Sequence, residues 1–388
     1  MRCLLRGCSA TFICLGVAAC SPSAVQHQQT LQTALISDFQ TELLQIAFNA
    51  ASAMPLKPHI KDRSRTQERV VNACFELEQP KTALKYIDQI ANWRRGLGFA
   101  DYAFYSAERG VTNGIELLLE KAESIGRTAS QEWRTDKVLD RIHQVRSLMS
   151  HMALPKSDVR AEDSNAVFET EFNTIDKEFS SGEFDAIQAA MNSCCSLYET
   201  YYDRDELRAR VEEKIDAIRG RLPVFIRLQY MNRMVHVALD HKDKQEAHRL
   251  LSETGRFISA NTWPAQYHVK ALADFASLQA ECGDGDAAVT SLNEARNLYI
   301  QNVSSIINID RADTLLPIAE AALVLNKPEL AMDVYGQALR VLMENPNSRP
   351  RADDLVLICV SMALHAVEPN DALWQQIHEI KDGLGEPW

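Results

Sequence analysis

The strongest constraint on this chain is a spacing. The segments DKQEAHRLLSET, GDGDAAVTSLNEA, KPELAMDVYGQAL and PNDALWQQI each set a small residue near the start of a helix-patterned run: Ala247, Ala288, Ala331 and Ala372. The intervals are 41, 43 and 41 residues, and four positions further on stand Leu251, Leu292, Tyr335 and Gln376. Each unit reads as two helices joined by a short turn. A lone hairpin of this kind cannot bury its apolar stripe, whereas stacked hairpins share one continuous core. The spacing therefore predicts an all-α fold, an α-solenoid of stacked antiparallel helix hairpins with a period of about 41–43 residues in its C-terminal half. The small residue lets helices approach closely, and the polar Gln376 suits a unit that caps the stack.

Two segments carry a family likeness. LPIAEAALVLNKPELAMDVYGQAL places Ala331, Tyr335 and Ala338 at a small-aromatic-small spacing, and LADFASLQAECGDGDAAVTSLNEA places Gly283, Ala288, Leu292 and Ala295 in the same frame. This resembles the tetratricopeptide-repeat superfamily, which implies stacked helix pairs with a concave binding surface. The departures are a period of 41 to 43 where that family has 34, and the missing tryptophan and Leu-Gly pair of its first helix.

Upstream the units are less regular. RTQERVVNACFELEQ has an amphipathic stripe at Val70, Val71, Cys74 and Leu77, Pro80 marks a turn, and TALKYIDQIANW follows with Ala83, Tyr86, Ile87 and Ile90 on one face. FADYAFYSAERG and TNGIELLLEKAESI make another pair, with Gly114 in the place of the small residue. Trp93 and Trp133 lie 40 residues apart beside helix ends, as wedges between units would. PKSDVRAEDSN is polar and aperiodic. The expected organisation is an N-terminal helical lobe over 36–154, a linker over 155–165 and a C-terminal helical lobe over 166–388. Asn326, Ser348 and Thr262 each precede an X-Pro pair, as capping residues near a first-turn proline. Pro317 lies inside ADTLLPIAEAAL, which places the start of that helix near Thr314.

The chain opens with Arg2, Arg6 and an apolar run of about 12 residues, too short for the roughly 20 a membrane span needs. Residues 1–19 read as a secretory signal peptide. Val17-Ala18-Ala19-Cys20 resembles the lipobox of bacterial lipoproteins. That resemblance implies acylation of Cys20, cleavage before it, and a mature chain whose residues 20–35 form a lipidated tether. Ser21 in place of an aspartate implies the outer membrane, facing the periplasm. Two or three acyl chains hold a protein firmly where one does not.

The remaining cysteines, Cys74, Cys194, Cys195, Cys282 and Cys359, lack the spacing of a disulfide framework and read as small apolar core residues; sequence fixes no pairing among them. Chemistry is sparse. No GxSxG, HExxH, GxxxxGK[ST] or GxGxxG pattern occurs, so no catalytic residue, metal ligand or cofactor is assigned. His241 and His248 stand two helical turns apart, too far to share a metal unaided. In GDGDAA, Asp286 complements a helix start, and the further ligands of a calcium loop do not follow. A net charge of −12 argues against nucleic acid and favours a basic partner.

The expected role is a lipid-anchored helical-repeat scaffold, not an enzyme, that mediates protein-protein interaction in the bacterial cell envelope. The register of the first half is too loose to fix which residues line its groove. An all-α ligand binder or enzyme is the alternative, with a cleft between the two lobes lined by SLYETYYDRDE: Tyr198, Tyr201, Tyr202, Asp203 and Asp205. Against it, Tyr198 and Tyr202 have the spacing of a packed helix-end pair.

Overall fold

The structure, a computed structural model, describes residues 31–129, 131–153 and 161–388. Cys20 and most of the expected tether lie outside these residues, as do residues 155–160 of the expected linker; residues 161–165 already belong to a helix. The helices are α1 (Asp38–Ala53), α2 (Leu56–Glu76), α3 (Pro80–Ile87), α4 (Arg94–Glu108), α5 (Ile115–Gly126) and α6 (Glu132–Ala153). There follow α7 (Ala161–Ser181), α8 (Phe184–Thr200), α9 (Asp205–Arg219), α10 (Val224–Asp240), α11 (Lys244–Ala260) and α12 (Ala265–Glu281). The last are α13 (Gly285–Asn302), α14 (Asn308–Val324), α15 (Pro328–Leu342), α16 (Ser348–Leu364) and α17 (Asp371–Asp382). No strand occurs among the described residues.

The repeat is written into the turns. Six even-to-odd turns hold one residue in the left-handed region: Glu78, Gly110, Lys242, Gly283, Asn326 and Ala366, at φ between 51° and 94°. In each, the next N–H reaches back to the carbonyl five residues earlier, as from Asp243 to Ala238 at 2.9 Å and from Lys327 to Ala322 at 2.8 Å. This closes the helix by a Schellman-type bond. Asn326 thus ends α14 and does not cap α15. Five positions beyond the turn residue stand Ala83, Ala247, Ala288 and Ala331, all fully buried, and four further on Ile87, Leu251, Leu292 and Tyr335, also buried.

Two expected register residues are corrected. Ala372 is exposed, because the last turn residue is Ala366 and the matching position falls on Asp371. Gly114 is the N-cap of α5 at φ 79°, with open space around it. The close approach in that unit is made instead by Gly96, whose missing Cβ would come within 2.8 Å of the Ala122 carbonyl oxygen. Pro317 sits well inside α14, which starts at Asn308 and not near Thr314. The carbonyl it leaves unpaired is that of Asp313, on a face that water reaches.

The stack does not follow chain order throughout. From α10 to α16 each even helix pairs with the odd helix after it and packs on the next even helix. At α16 the close partner is α1, antiparallel to it, and the next even helix in space is α2. Gln40 at the start of α1 donates to the Ala363 carbonyl near the end of α16, at 2.7 Å. The path then continues through α2, α4 and α6. The first helix of the chain therefore completes the hairpin of the last long one, and α17 is displaced to the flank of α15 and α16.

All substantial contacts among the described residues join neighbours on this path. Beyond α6 the covalent chain leads to α7, where Glu178 lies close enough to Asp140 of α6 to feel its charge. The helices thus form one packed path, from α7 through α8 to α16 and on through α1 and α2 to α6. One core runs from α1 through α6 and on into α10–α17; a second fills α7–α12. Cys74, Cys194, Cys195 and Cys359 are buried in these cores and Cys282 lies at an edge, all as free thiols.

Candidate functional site

From α8 through α16 and from α2 to α6 the backbones of successive even helices pack closely, whereas successive odd helices are joined chiefly by long side chains, as Arg219 to Glu253 at 2.7 Å and Arg296 to Asp333 at 3.9 Å, so the even helices stand at the smaller radius. Their outward-pointing polar residues line the hollow side of the curve. Each pair of neighbours there is joined by a polar link. Arg233 of α10 meets Glu199 of α8 at 3.6 Å, and His236 of α10 meets Glu281 of α12 at 3.3 Å. Lys270 of α12 bonds Asp313 of α14, and Ser361 of α16 donates to Glu320 of α14 at 2.7 Å.

Across the junction where the chain order breaks, Asp353 of α16 accepts from Thr66 at 2.6 Å and Arg69 at 3.0 Å of α2. Glu68 of α2 bonds Arg94 of α4, and Arg141 of α6 donates to Asp101 of α4 at 2.6 Å. Matched positions along the helices show that the even helices run parallel. Half-exposed pairs like these contribute about 0.2–1 kcal/mol each and chiefly fix the spacing of the units.

The wall between α10 and α14 holds the chemistry. Asp274 is exposed to solvent, one turn after Lys270, yet burial among surrounding walls pushes its carboxyl up to about 7. The charge of Glu320 raises it further, and Lys270 and His236 oppose the shift. Asp274 thus reaches solvent while protein atoms crowd around its carboxyl. On α16, Asp354 is buried, its Oδ2 has no hydrogen-bond partner, and desolvation pushes it up to about 8, with Asp353, Asp313 and Asp310 adding repulsion. Among the described residues no group of histidine, cysteine and carboxylate side chains could hold a metal ion.

The other candidates read from the sequence are not brought together. His241 pairs with Asp203 at 3.4 Å, and His248 pairs separately with Asp284 at 3.4 Å. Tyr198 and Tyr202 form an edge-on pair at 5.4 Å, both buried, and Tyr201 packs edge-on to Phe168 at 5.1 Å. Tyr202 stacks on His241 and donates to Asp243 at 3.2 Å, while Asp205 opens α9 beside Arg208. Asp284 and Asp286 lie at the start of α13. A cleft of about 80 Å³ between α9, α10 and α11 is lined by Glu212, Arg219, Met234, Arg249 and Glu253. Sites for drug-sized ligands are about 300–1,000 Å³.

The lining of the hollow, Lys270, Asp274, Asp313, Glu320 and Asp353, was not foreseen from sequence. A signal was present: these residues recur on the solvent stripe of successive first helices, with Lys270 and Asp313 separated by 43 residues, one repeat.

No protein-family model matches this chain, and no curated protein matches it. Among solved structures, one described as a circular tandem repeat protein with novel repeat topology and enhanced subunit contact surfaces is 12% identical, covering 89% of this chain and 94% of that one at a TM-score of 0.24.

Proposed function

We propose that this chain is a lipid-anchored scaffold of the bacterial cell envelope whose hollow face, lined by the even helices, binds a segment of another protein. The observation that carries the reading is the parallel array of even helices, which offers a long curved wall of side chains from successive units. Such a wall suits an extended partner more than a small molecule. Asp274 and the neighbouring Glu320 and Asp313 make the stretch from α12 to α14 acidic, so a lysine- or arginine-bearing segment is the expected occupant. Its cation would restore Asp274 to the ionised form by supplying the opposite charge that the site lacks.

The test is in-cell crosslinking from the hollow face, followed by mass spectrometry of co-purified proteins. The native chain is compared with Asp274→Lys and with Cys20→Ala. One dominant envelope protein, lost with Asp274→Lys and reduced when Cys20→Ala releases the chain from the membrane, supports the reading. Turnover of a small metabolite by the purified chain, with no such protein, overturns it.

A further inference from the structure

The two edges of the stack differ in chemistry. Parallel packing sets the first turns of the even helices on one edge, and there Leu56, Trp133, Phe184, Phe225, Tyr267 and Ile307 are each at least 40% exposed. Members from adjacent units meet: the rings of Phe225 and Tyr267 stack at 5.5 Å, and Trp133 stands edge-on to Trp93 at 5.7 Å. Interspersed with them on the same edge are Lys57, Lys61, Arg221, Arg256 and Arg340, all exposed and none in an ion pair among the described residues. The opposite edge is acidic, with Glu78, Asp203, Asp284, Glu329 and Glu368 exposed.

Helix dipoles do not account for this division. They favour carboxylates where helices begin and cations where they end. That rule fits the starts of α6, α8 and α14, which carry Glu132, Asp185 and Asp310, but α2, α4, α10, α12 and α16 begin on the basic edge with no acidic residue in the first turn. In a protein with a net charge of −12, this rim holds five exposed cations and six exposed apolar side chains among a few carboxylates, Glu132, Glu183 and Asp185, while the carboxylates of the opposite edge are accompanied by exposed Lys81, Lys242 and Lys244.

We propose that this rim seats on an anionic lipid surface, with the cations among headgroup phosphates and the aromatic and aliphatic side chains at the headgroup level. Three observations favour a bilayer over a protein. The charges are complementary to anionic lipid, and each basic residue near such a surface contributes about 1 kcal/mol. Tryptophan, tyrosine, lysine and arginine together are the residues that settle at the membrane–water interface. The apolar groups are spread along the rim at about one per unit, as a flat surface requires, whereas a protein partner concentrates its anchors at the centre of one patch. The seat is independent of the partner proposed for the hollow face, and it would supply a second attachment beside an acyl anchor.

The test uses residues 31–388, which contain both cores and every described helix, so that no acyl group or leader contributes. Co-sedimentation is measured with vesicles of equal parts phosphatidylglycerol and phosphatidylcholine, and with phosphatidylcholine alone, at low and high salt. The expected result is salt-sensitive binding to the anionic vesicles only. The triple variant Lys57→Gln/Arg221→Gln/Arg340→Gln should bind about a hundredfold more weakly, from roughly fivefold per charge. Phe225→Ser/Tyr267→Ser should weaken binding while leaving the helical circular dichroism of the native fragment. Equal binding to neutral vesicles, or variants that are folded and bind like the native fragment, would overturn the proposal. So would rim-dependent self-association, or capture of one protein through the rim, in a fragment that ignores vesicles.

Discussion

The pairing of α1 with α16 can be tested by truncating one side chain in α1 and watching a helix about 300 residues away. Leu43 is fully buried in α1. Its replacement by alanine removes the packing of a leucine and leaves a cavity, at a cost of about 3 kcal/mol. If α1 is the partner of α16, that loss falls on the unit holding α16, α1 and α2. The amides of α16 should then exchange with deuterium about 150-fold faster wherever exchange proceeds by opening of this unit, since 1.4 kcal/mol is a factor of ten. Native-state exchange read by mass spectrometry, peptide by peptide, gives the measurement. Faster exchange confined to α1–α3, with α16 as protected as in the native chain, would refute the pairing and leave α1 as an ordinary N-terminal cap.

Asp354→Asn should remove a pH dependence of stability. Its folded pKa of about 8 lies above the ordinary carboxylate value of 3.8, so between those values the native state keeps a proton that the unfolded chain releases, and the contribution of this group falls as pH rises through that window. Urea midpoints at pH 5 and pH 8.5 should differ less in the variant than in the native chain; an unchanged difference would count against the buried, unpartnered carboxyl. Gly96→Ala should destabilise by about 1–3 kcal/mol in thermal melts, because its Cβ would meet a backbone oxygen of α5 that cannot swing aside. Ala366→Gly should stabilise by about 1 kcal/mol in the same assay, by relieving a side chain held at φ 51°.

Much of the architecture was legible because it is local. Ala247, Ala288 and Ala331 marked the second helix of each unit correctly, since a buried small residue and a buried large one four positions on follow from the turn that precedes them. Trp93 and Trp133 were read as wedges and do pack together. Ala372 misled because its segment imitates the motif one position out of frame. The true fourth copy is Ala83, near the other end of the chain, where no spacing along the sequence could place it.

Pairing of α1 with α16 leaves only an indirect trace: Leu43, Leu44, Ile46, Ala47, Phe48, Ala50 and Ala51 wrap more of the helix than one stripe, as a helix packed on two sides requires. The hollow face and the rim were harder still to see. Each of their residues reads alone as an ordinary exposed side chain, and only the stacking of parallel helices puts Lys270 beside Asp313 or Phe225 beside Tyr267.

The break in chain order has a consequence for biosynthesis. Of the described helices α1 is translated first, but the helix that covers its far side is translated almost last. At about 5–20 residues per second the roughly 300 intervening residues take some 15–60 seconds. Throughout that interval the flank of α1 that meets α16 stays open, while α2 and α3 cover its other side. Synthesis of this protein thus contains a waiting period set by its topology, during which a holdase or a secretion factor would find its natural client.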